Sequence, residues 1–414
     1  MFKEAPKTLC ALPWISLETS PGGNVRPCCL YTDFITDKNG NKYDLKEHTL
    51  EEVYNSDYMK KLRTDFRSGD KPSPCSQCWS EEDAGRDSKR INVHRQLVNR
   101  ELHDEVNYAS DSPDQLWFID LKLGNICNLK CRICGYWSSS KWAQEQIELD
   151  KEYNSTSNAY QFLKDGNWPR ESNLFWKHFE ELLPNIKSLE ISGGEPFLIQ
   201  EQFNVLQRAV DLGYAKNIRV HYNTNGTQYP KEAIELWKQF ELVEIAFSID
   251  NTKEQFEYER YGASWGEVNS NLMRFAQLRD HYSNIELHLC TTVNVFNIGN
   301  LPEVYSWATT KIQFDFYYFN LLYNPEEFSI CNMTERAKNF SRAILHNNRV
   351  DDFTKDEYEK IIKFMYSSTD TDGSAFCKRV DISDKFRNQD ILDTHYTMAR
   401  IMGVSRMKRY TRQP

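Results

Sequence analysis

Residues 116–134 read LWFIDLKLGNICNLKCRIC. An apolar, strand-like run from Leu116 to Leu123 leads directly into Cys127, Cys131 and Cys134, which stand in the spacing C-x3-C-x2-C. Three thiolates so close on one loop can hold three irons of a [4Fe–4S] cube, because such clusters are ligated by cysteine sulfur. A fourth cysteine at similar range is missing, which leaves one iron open to an outside ligand. A structural zinc site needs four closed ligands, and no nearby His or Cys supplies the last. A chance cluster of buried thiols explains one cysteine well and three within eight residues poorly.

Composition sets the bounds. The chain has 414 residues, enough for two or three domains with a large core. Hydrophobic residues make up 40% and aromatics 13%, the profile of a globular protein rich in Tyr, Phe and Trp. No apolar run approaches membrane-spanning length, and the opening MFKEAPKTLC lacks the apolar core of a signal peptide, so a cytoplasmic protein with no membrane contact is expected. A net charge of −9 argues against generic nucleic-acid binding. The basic end SRMKRYTRQP reads as a solvated tail. Eleven cysteines in a reducing compartment point to metal or catalysis rather than to disulfides. Cys290, Cys331 and Cys377 stand alone and read as core thiols.

Three regions follow in order. Residues 1–112 are cysteine-rich: turn chemistry at Pro21-Gly22-Gly23-Asn24 predicts a hairpin, with Cys10 and Cys28 near its open ends. A helix is expected over Thr49–Arg67, then the break Pro72-Ser73-Pro74, then Cys75 and Cys78, then a charged helical stretch from Ser80 to Val106. Residues 113–325 alternate strand and helix signals, with strands at 116–123, 188–192, 218–224, 243–249, 285–294 and 312–319. Helices are expected near 136–150, 173–183, 200–212, 230–240, 265–281 and 299–309, and 150–172 reads as an insertion. Six βα units predict an α/β fold, a partial and open (β/α)6 barrel, since a closed one takes eight. Residues 326–414 read as helices near 333–347, 354–367 and 383–402, a possible cap on the open side.

The cysteine loop after a first strand resembles the signature of the radical SAM superfamily, in which Ile133, before the last cysteine, is usually apolar or aromatic. The resemblance implies that S-adenosylmethionine chelates the open iron and is reductively cleaved to a 5′-deoxyadenosyl radical. Ser192-Gly193-Gly194-Glu195-Pro196 closes the second barrel strand and resembles the family's GGEP motif, which holds the methionine amino group; an ordinary glycine turn entering a helix is the plain alternative. By the same resemblance Asn225, Ser248, Asp250 and Arg260 are carried over as ribose or carboxylate contacts, and Asn294 as a contact near the ribose or adenine. The segment departs from the family in Asn251, where Gly is common, and in Tyr261 between Arg260 and Gly262. Tyr222 and Tyr317 are weighed for radical or proton transfer, with packing as the default.

Cys10, Gly23 and Cys28, with Cys75 and Cys78 further on, resemble the opening of SPASM and twitch domains, which bind auxiliary [4Fe–4S] clusters. Four thiolates make one cluster of the twitch kind, or an all-cysteine zinc site. Cys29 competes with Cys28 as the ligand, and the glycine spacing favours Cys28. Such domains usually follow the barrel, and here the cysteines precede it. The function implied is hydrogen-atom abstraction from an unidentified peptide, protein side chain, sugar or nucleotide-derived compound, with an oxidation or cross-link preferred. A one-electron donor such as flavodoxin or ferredoxin is the implied partner. A radical SAM epimerase or isomerase, and a non-catalytic Fe–S or zinc scaffold, are the alternatives. No general acid or base is assigned.

Overall fold

Ten strands arise among the described residues, which in this computed structural model are 7–83, 85–166 and 168–405. They are β1 (Ser16–Thr19), β2 (Val25–Arg26), β3 (Phe118–Lys122), β4 (Lys130–Cys131), β5 (Ser188–Ser192), β6 (Arg219–Thr224), β7 (Leu242–Ser248), β8 (Arg260–Tyr261), β9 (Ile285–Val293) and β10 (Phe316–Leu321). Eight of them form one open sheet in the order β10-β9-β7-β6-β5-β3-β1-β2, and β4 pairs with β8 alone. The six expected barrel strands are all present within a few residues of their predicted ends. The basic end after Ser405 lies outside the described residues.

The sheet carries two strands more than the six βα units predict. The hairpin forms, with Glu18 opposite Arg26 and Thr19 opposite Val25. It does not stand apart: β1 runs parallel to β3, Ser16 beside Phe118 and Glu18 beside Asp120. The Thr19 hydroxyl accepts the Lys122 N–H at 2.8 Å and fixes that register. The predicted helix over 49–67 is two helices, Leu50–Tyr54 and Asp57–Arg67, because Ser56 takes an extended conformation and caps the second through the Met59 N–H. The expected last helix is also displaced; the chain forms Ser374–Arg387 and then the short helices Ile391–Thr394 and Tyr396–Ile401.

By compactness the chain makes two units. The first comprises residues up to Leu129, Gly135–Phe247 and Gln277–Leu287; the second comprises Lys130–Cys134, Ser248–Ala276 and residues from His288 on. In the first, alternation along parallel strands sorts side chains by level. Leu17, Ile119, Leu189, Val220 and Val243 form one row, each fully buried or nearly so. The next row is Glu18, Asp120, Glu190, His221 and Glu244, titratable at every strand. Lys122 Nζ lies 2.5 Å from Glu18 and 3.3 Å from Asp120, while His221 Nδ1 lies 3.4 Å from Glu244. Charges so placed must be paired, as here. Burial, against the pull of Lys122, pushes the Asp120 carboxyl up to about 6.

The second unit is built on one apolar cluster. Val293, Phe296, Phe319 and Leu321 meet Met333, Leu345, Tyr358, Phe376 and Met398 from the C-terminal helices. Those helices are therefore part of the fold of this unit rather than an appended tail. Among the described residues no helix is long and apolar enough to cross a membrane.

Arg63, fully buried, shows how the N-terminal segments of the first unit are held. Its guanidinium donates to the carbonyls of Pro13 at 2.9 Å, Tyr54 at 2.8 Å and Asp111 at 2.6 Å. Removing it strands three acceptors. Arg63→Met is expected to cost on the order of 3 kcal/mol and lower the thermal midpoint by several degrees. Lys61→Met, at an exposed pair with Asp65, is expected to leave the thermal midpoint close to that of the parent. Differential scanning fluorimetry on both variants checks the contrast.

Candidate active site

The cysteine loop leaves β3 through Gly124, whose φ of +105° suits glycine alone. A Cβ there would overlap the Gly166 carbonyl oxygen, so the 150–172 insertion packs directly on the loop. Asn125 Nδ2 donates to the Phe162 carbonyl at 3.0 Å, and its own carbonyl accepts the Ser140 N–H at 2.7 Å. The Ser140 hydroxyl accepts the Cys127 N–H at 3.3 Å. Ser139 caps the following helix, Ser140–Tyr153, and donates its hydroxyl to Leu129 at 2.7 Å. Gly124, Asn125, Ser139 and Gly166 are therefore loop supports; glycine and serine are common enough that nothing in their spacing marks them.

The glycine-rich turn after β5 meets this loop at van der Waals limit. Gly193 and Gly194 have φ of +83° and +56°, and a Cβ on Gly194 would overlap the Ile126 carbonyl. The next residue donates its N–H to that same oxygen, Glu195 N to Ile126 O at 2.8 Å. The Glu195 side chain is fully buried and accepts from Thr224 Oγ1 at 2.7 Å, Asn225 N at 2.7 Å and Phe197 N at 3.3 Å. It ties the end of β5 to the end of β6, a role the motif alone did not reveal. Pro196, also buried, begins the 3-10 turn Pro196–Leu198. Asn225 reaches toward the loop: its Nδ2 lies 3.1 Å from Asn128 Oδ1 and 4.0 Å from Cys127 Sγ. Tyr222 takes the packing role, its hydroxyl bonded to Gln202 and to Trp237.

In the second unit, β4 and β8 set Cys131 opposite Arg260. Arg260 Nη1 lies 3.8 Å from Cys131 Sγ, and Nη2 pairs with Asp250 Oδ2 at 2.6 Å. Asp250 also accepts the Thr292 N–H at 2.9 Å. Burial raises the Asp250 carboxyl and Arg260 opposes that rise; the guanidinium itself is held protonated by Asp250 against its burial. Arg260 thus has a strong partner of its own within the chain, not a surface salt bridge. Asn294 is fully buried, with Nδ2 on the Thr292 carbonyl at 2.9 Å and Oδ1 on the Phe296 N–H at 2.8 Å. It orders the turn after β9. Ser248 ends β7 half-buried, and Ile133 packs on the apolar cluster.

Arg132, between two cysteines of the motif, went unread in the sequence and is buried. Its Nε donates to the Tyr258 carbonyl at 3.0 Å, and Nη2 donates to Asp384 at 2.5 Å and Gln389 at 2.8 Å. The guanidinium also lies 3.6 Å from the Tyr258 ring centroid. Asp384 comes from the C-terminal helix Ser374–Arg387, so that region fastens the middle of the cysteine motif. A partner 252 residues away leaves no local signal.

The N-terminal cysteines converge within the first unit. Burial raises the thiol of Cys10, and the nearest thiols acting on it are Cys75 and Cys78. Cys28 feels Cys10, and Cys75, pushed up to about 12 chiefly by burial, feels Cys28 and Cys78. Cys29 also bears on Cys28, and its own surroundings are Lys89, Glu190, Asp120 and Lys122. The converging donors are sulfur throughout, the chemistry an iron–sulfur cube or a four-thiolate zinc ion takes. All eleven cysteines are free thiols, which suits ligands rather than bridges.

The close approach at Gly194 is testable. Gly194→Ala combines left-handed strain with overlap against backbone, and is expected to destabilise by more than about 2 kcal/mol. Gly213→Ala, at φ +78° with open space around it, carries the strain alone and is expected to cost about 1 kcal/mol. Thermal midpoints of the two variants against the parent measure the difference.

Residues 121–285 match the family model of the radical SAM superfamily, and residues 10–79 match that of an iron–sulfur cluster-binding domain, SPASM. No curated protein matches the chain. Among solved structures, native anSMEcpe with bound AdoMet is 19% identical with a TM-score of 0.39, the match covering 58% of this chain and 62% of that one. Streptococcus suis SuiB bound to precursor peptide SuiA is 13% identical with a TM-score of 0.32, covering 59% and 52%. TYW1 with a lysine-pyruvate adduct bound is 12% identical with a TM-score of 0.30, covering 56% and 73%. The chain therefore spans less than two thirds of the anSMEcpe and SuiB chains. A radical SAM domain implies S-adenosylmethionine and a [4Fe–4S] cluster, and an SPASM domain implies auxiliary clusters. The chain thus carries a radical SAM domain over residues 121–285, with an SPASM iron–sulfur cluster-binding domain over residues 10–79 ahead of it in sequence.

Proposed function

We propose that Cys127, Cys131 and Cys134 hold a [4Fe–4S] cluster whose open iron takes S-adenosylmethionine, and that the enzyme abstracts a hydrogen atom from an organic substrate. The observation that carries this reading is the close approach of Gly194 and Glu195 to the loop at Ile126, which seats the GGEP turn on the cysteine motif. When bound, the reduced cluster and S-adenosylmethionine supply a 5′-deoxyadenosyl radical. The chain supplies orientation and shielding. Gly193, Gly194, Glu195, Pro196 and Asn225 are assigned to cofactor binding in the first unit. Glu195 serves by fixing the strand ends, since its carboxylate is already engaged by Thr224 and Asn225. Ile133, Ser248, Asp250, Arg260 and Asn294 are assigned in the second, with Asp250 and Arg260 acting as a pair.

Cys10, Cys28, Cys75 and Cys78 are assigned to one auxiliary cluster, because each of these thiols bears on another of the four and the glycine spacing favours Cys28, while Cys29 meets the Lys89 ammonium at 3.0 Å. In domain terms, residues 1–112 carry that cluster, 113–325 the radical SAM core and 326–414 the helices that fasten it. A fully ligated cluster has no open iron, so its use is to accept an electron or shape the site. On that ground a net oxidation or cross-link is preferred, with flavodoxin or ferredoxin as the electron donor.

Anaerobically purified protein is expected to hold about eight irons and no zinc, four for each cube. Replacing Cys127, Cys131 and Cys134 together by Ala should remove about half the iron and abolish 5′-deoxyadenosine formation; undiminished cleavage of S-adenosylmethionine would sink the assignment. Cys28→Ser should lose the other half, and Cys29→Ser should keep the full complement. With substrate deuterated at the reacting carbon, label should enter 5′-deoxyadenosine with one S-adenosylmethionine consumed per product. Label returning to S-adenosylmethionine would instead mark an epimerase or isomerase.

A further inference from the structure

Lys89 opens the helix Lys89–Asn99, and the residues around it converge on the N-terminal thiols. Ser88 caps that helix, its hydroxyl accepting the Ile91 N–H at 3.3 Å and donating to Glu82 Oε1 at 2.5 Å, and the Arg90 backbone N–H pulls the Cys78 thiol down against its burial. The Arg90 side chain reaches the Leu9 carbonyl at 3.0 Å and Glu82 Oε1 at 3.0 Å, which anchors the helix start beside Cys10. The Lys89 ammonium lies 3.0 Å from Cys29 Sγ, and its charge also bears on Cys28. Its second partner is Glu190 Oε2, at 3.3 Å on β5. Lys89 therefore stands between Cys29, the residue after Cys28, and the titratable row of the sheet, one hydrogen bond from each. Neither end is saturated by burial: Lys89 is 25% exposed and Glu190 33%.

We propose that Lys89 is a positioning residue that sets the reduction potential of the auxiliary cluster, with Glu190 as its counterweight. The inference rests on the assignment of Cys10, Cys28, Cys75 and Cys78 to that cluster. A cube held by four thiolates is anionic and gains one further negative charge when it takes up one electron. Net charge and hydrogen bonds around the sulfurs set such potentials. A fixed ammonium nearby stabilises the more negative, reduced form more than the oxidised one, and a carboxylate does the reverse. The two partners of one ion pair should therefore shift the potential in opposite directions.

The test is a dithionite titration of the full-length protein carrying both clusters, followed by electron paramagnetic resonance. The auxiliary signal is identified as the one absent from Cys28→Ser. Lys89→Met is expected to move its midpoint to lower potential and Glu190→Gln to higher potential, while Lys89→Arg leaves it near the parent value. The signal from the cluster at Cys127, Cys131 and Cys134 should stay put. Loosened packing shifts both variants the same way, so shifts of equal sign, or no shift in either, overturn the proposal. If Lys89→Met does not fold, Glu190→Gln and Lys89→Arg still decide it. A parent protein with iron for one cluster only removes the auxiliary assignment and this inference together, whereas two clusters with unmoved midpoints remove the inference alone.

Discussion

A missing methyl group governs the first unit. Because Gly194 has no Cβ, the turn after β5 can lie against the Ile126 carbonyl, and Glu195 can donate its N–H to that oxygen. The loop is squeezed from the other side as well, where Gly166 meets Gly124 and Asn125. Two close approaches to backbone, each open only to glycine, thus hold the lead-in to Cys127. Glu195 is buried to complete the arrangement, and its carboxylate is satisfied by Thr224 and Asn225.

In the second unit the same motif is held by charge instead. Arg132 points away from the cysteines into the C-terminal helices, where Asp384 receives it, while Arg260 stays beside Cys131 and is balanced by Asp250. Both pairs are nearly inaccessible to water, so losing either partner leaves an uncompensated charge rather than a weakened contact. This gives residues 374–391 a structural purpose that a helical capping segment would not need: Asp384 also accepts from Tyr258 Oη and from the Ile391 N–H.

Much of the core was readable because strand and helix signals alternate along residues 113–325, and because three cysteines in eight residues have few explanations. The six strands and the GGEP turn followed from that. The pairing of β1 with β3 did not, since four residues, Ser16–Thr19, carry no mark of a partner about a hundred positions on. Likewise the break at Ser56 looks like helix to a periodicity count and is decided by one backbone conformation. Between Cys28 and Cys29 the sequence offers only the glycine spacing, and it carries no sign that Lys89 lies beside Cys29. Asn225 and Asp250 were singled out by family likeness, but Arg132, Asp384 and Lys89 are ordinary charged residues until their partners are seen.

The place of β1 in the sheet has a consequence for how the chain is made. Synthesis delivers Ser16–Thr19 early, yet the strand it pairs with, Phe118–Lys122, emerges about a hundred residues later. Until then the hairpin shows an unpaired edge, with the thiols of Cys10 and Cys28 near its ends. Parallel pairing over such a span is slow to form, because loop closure must precede the contacts that reward it. A nascent chain is thereby exposed to oxygen and to stray metal at its thiols before the sheet can shelter them. Slow translation, low temperature and iron supplied during expression all act on that interval, so recovery of folded protein is a matter of timing as much as of sequence.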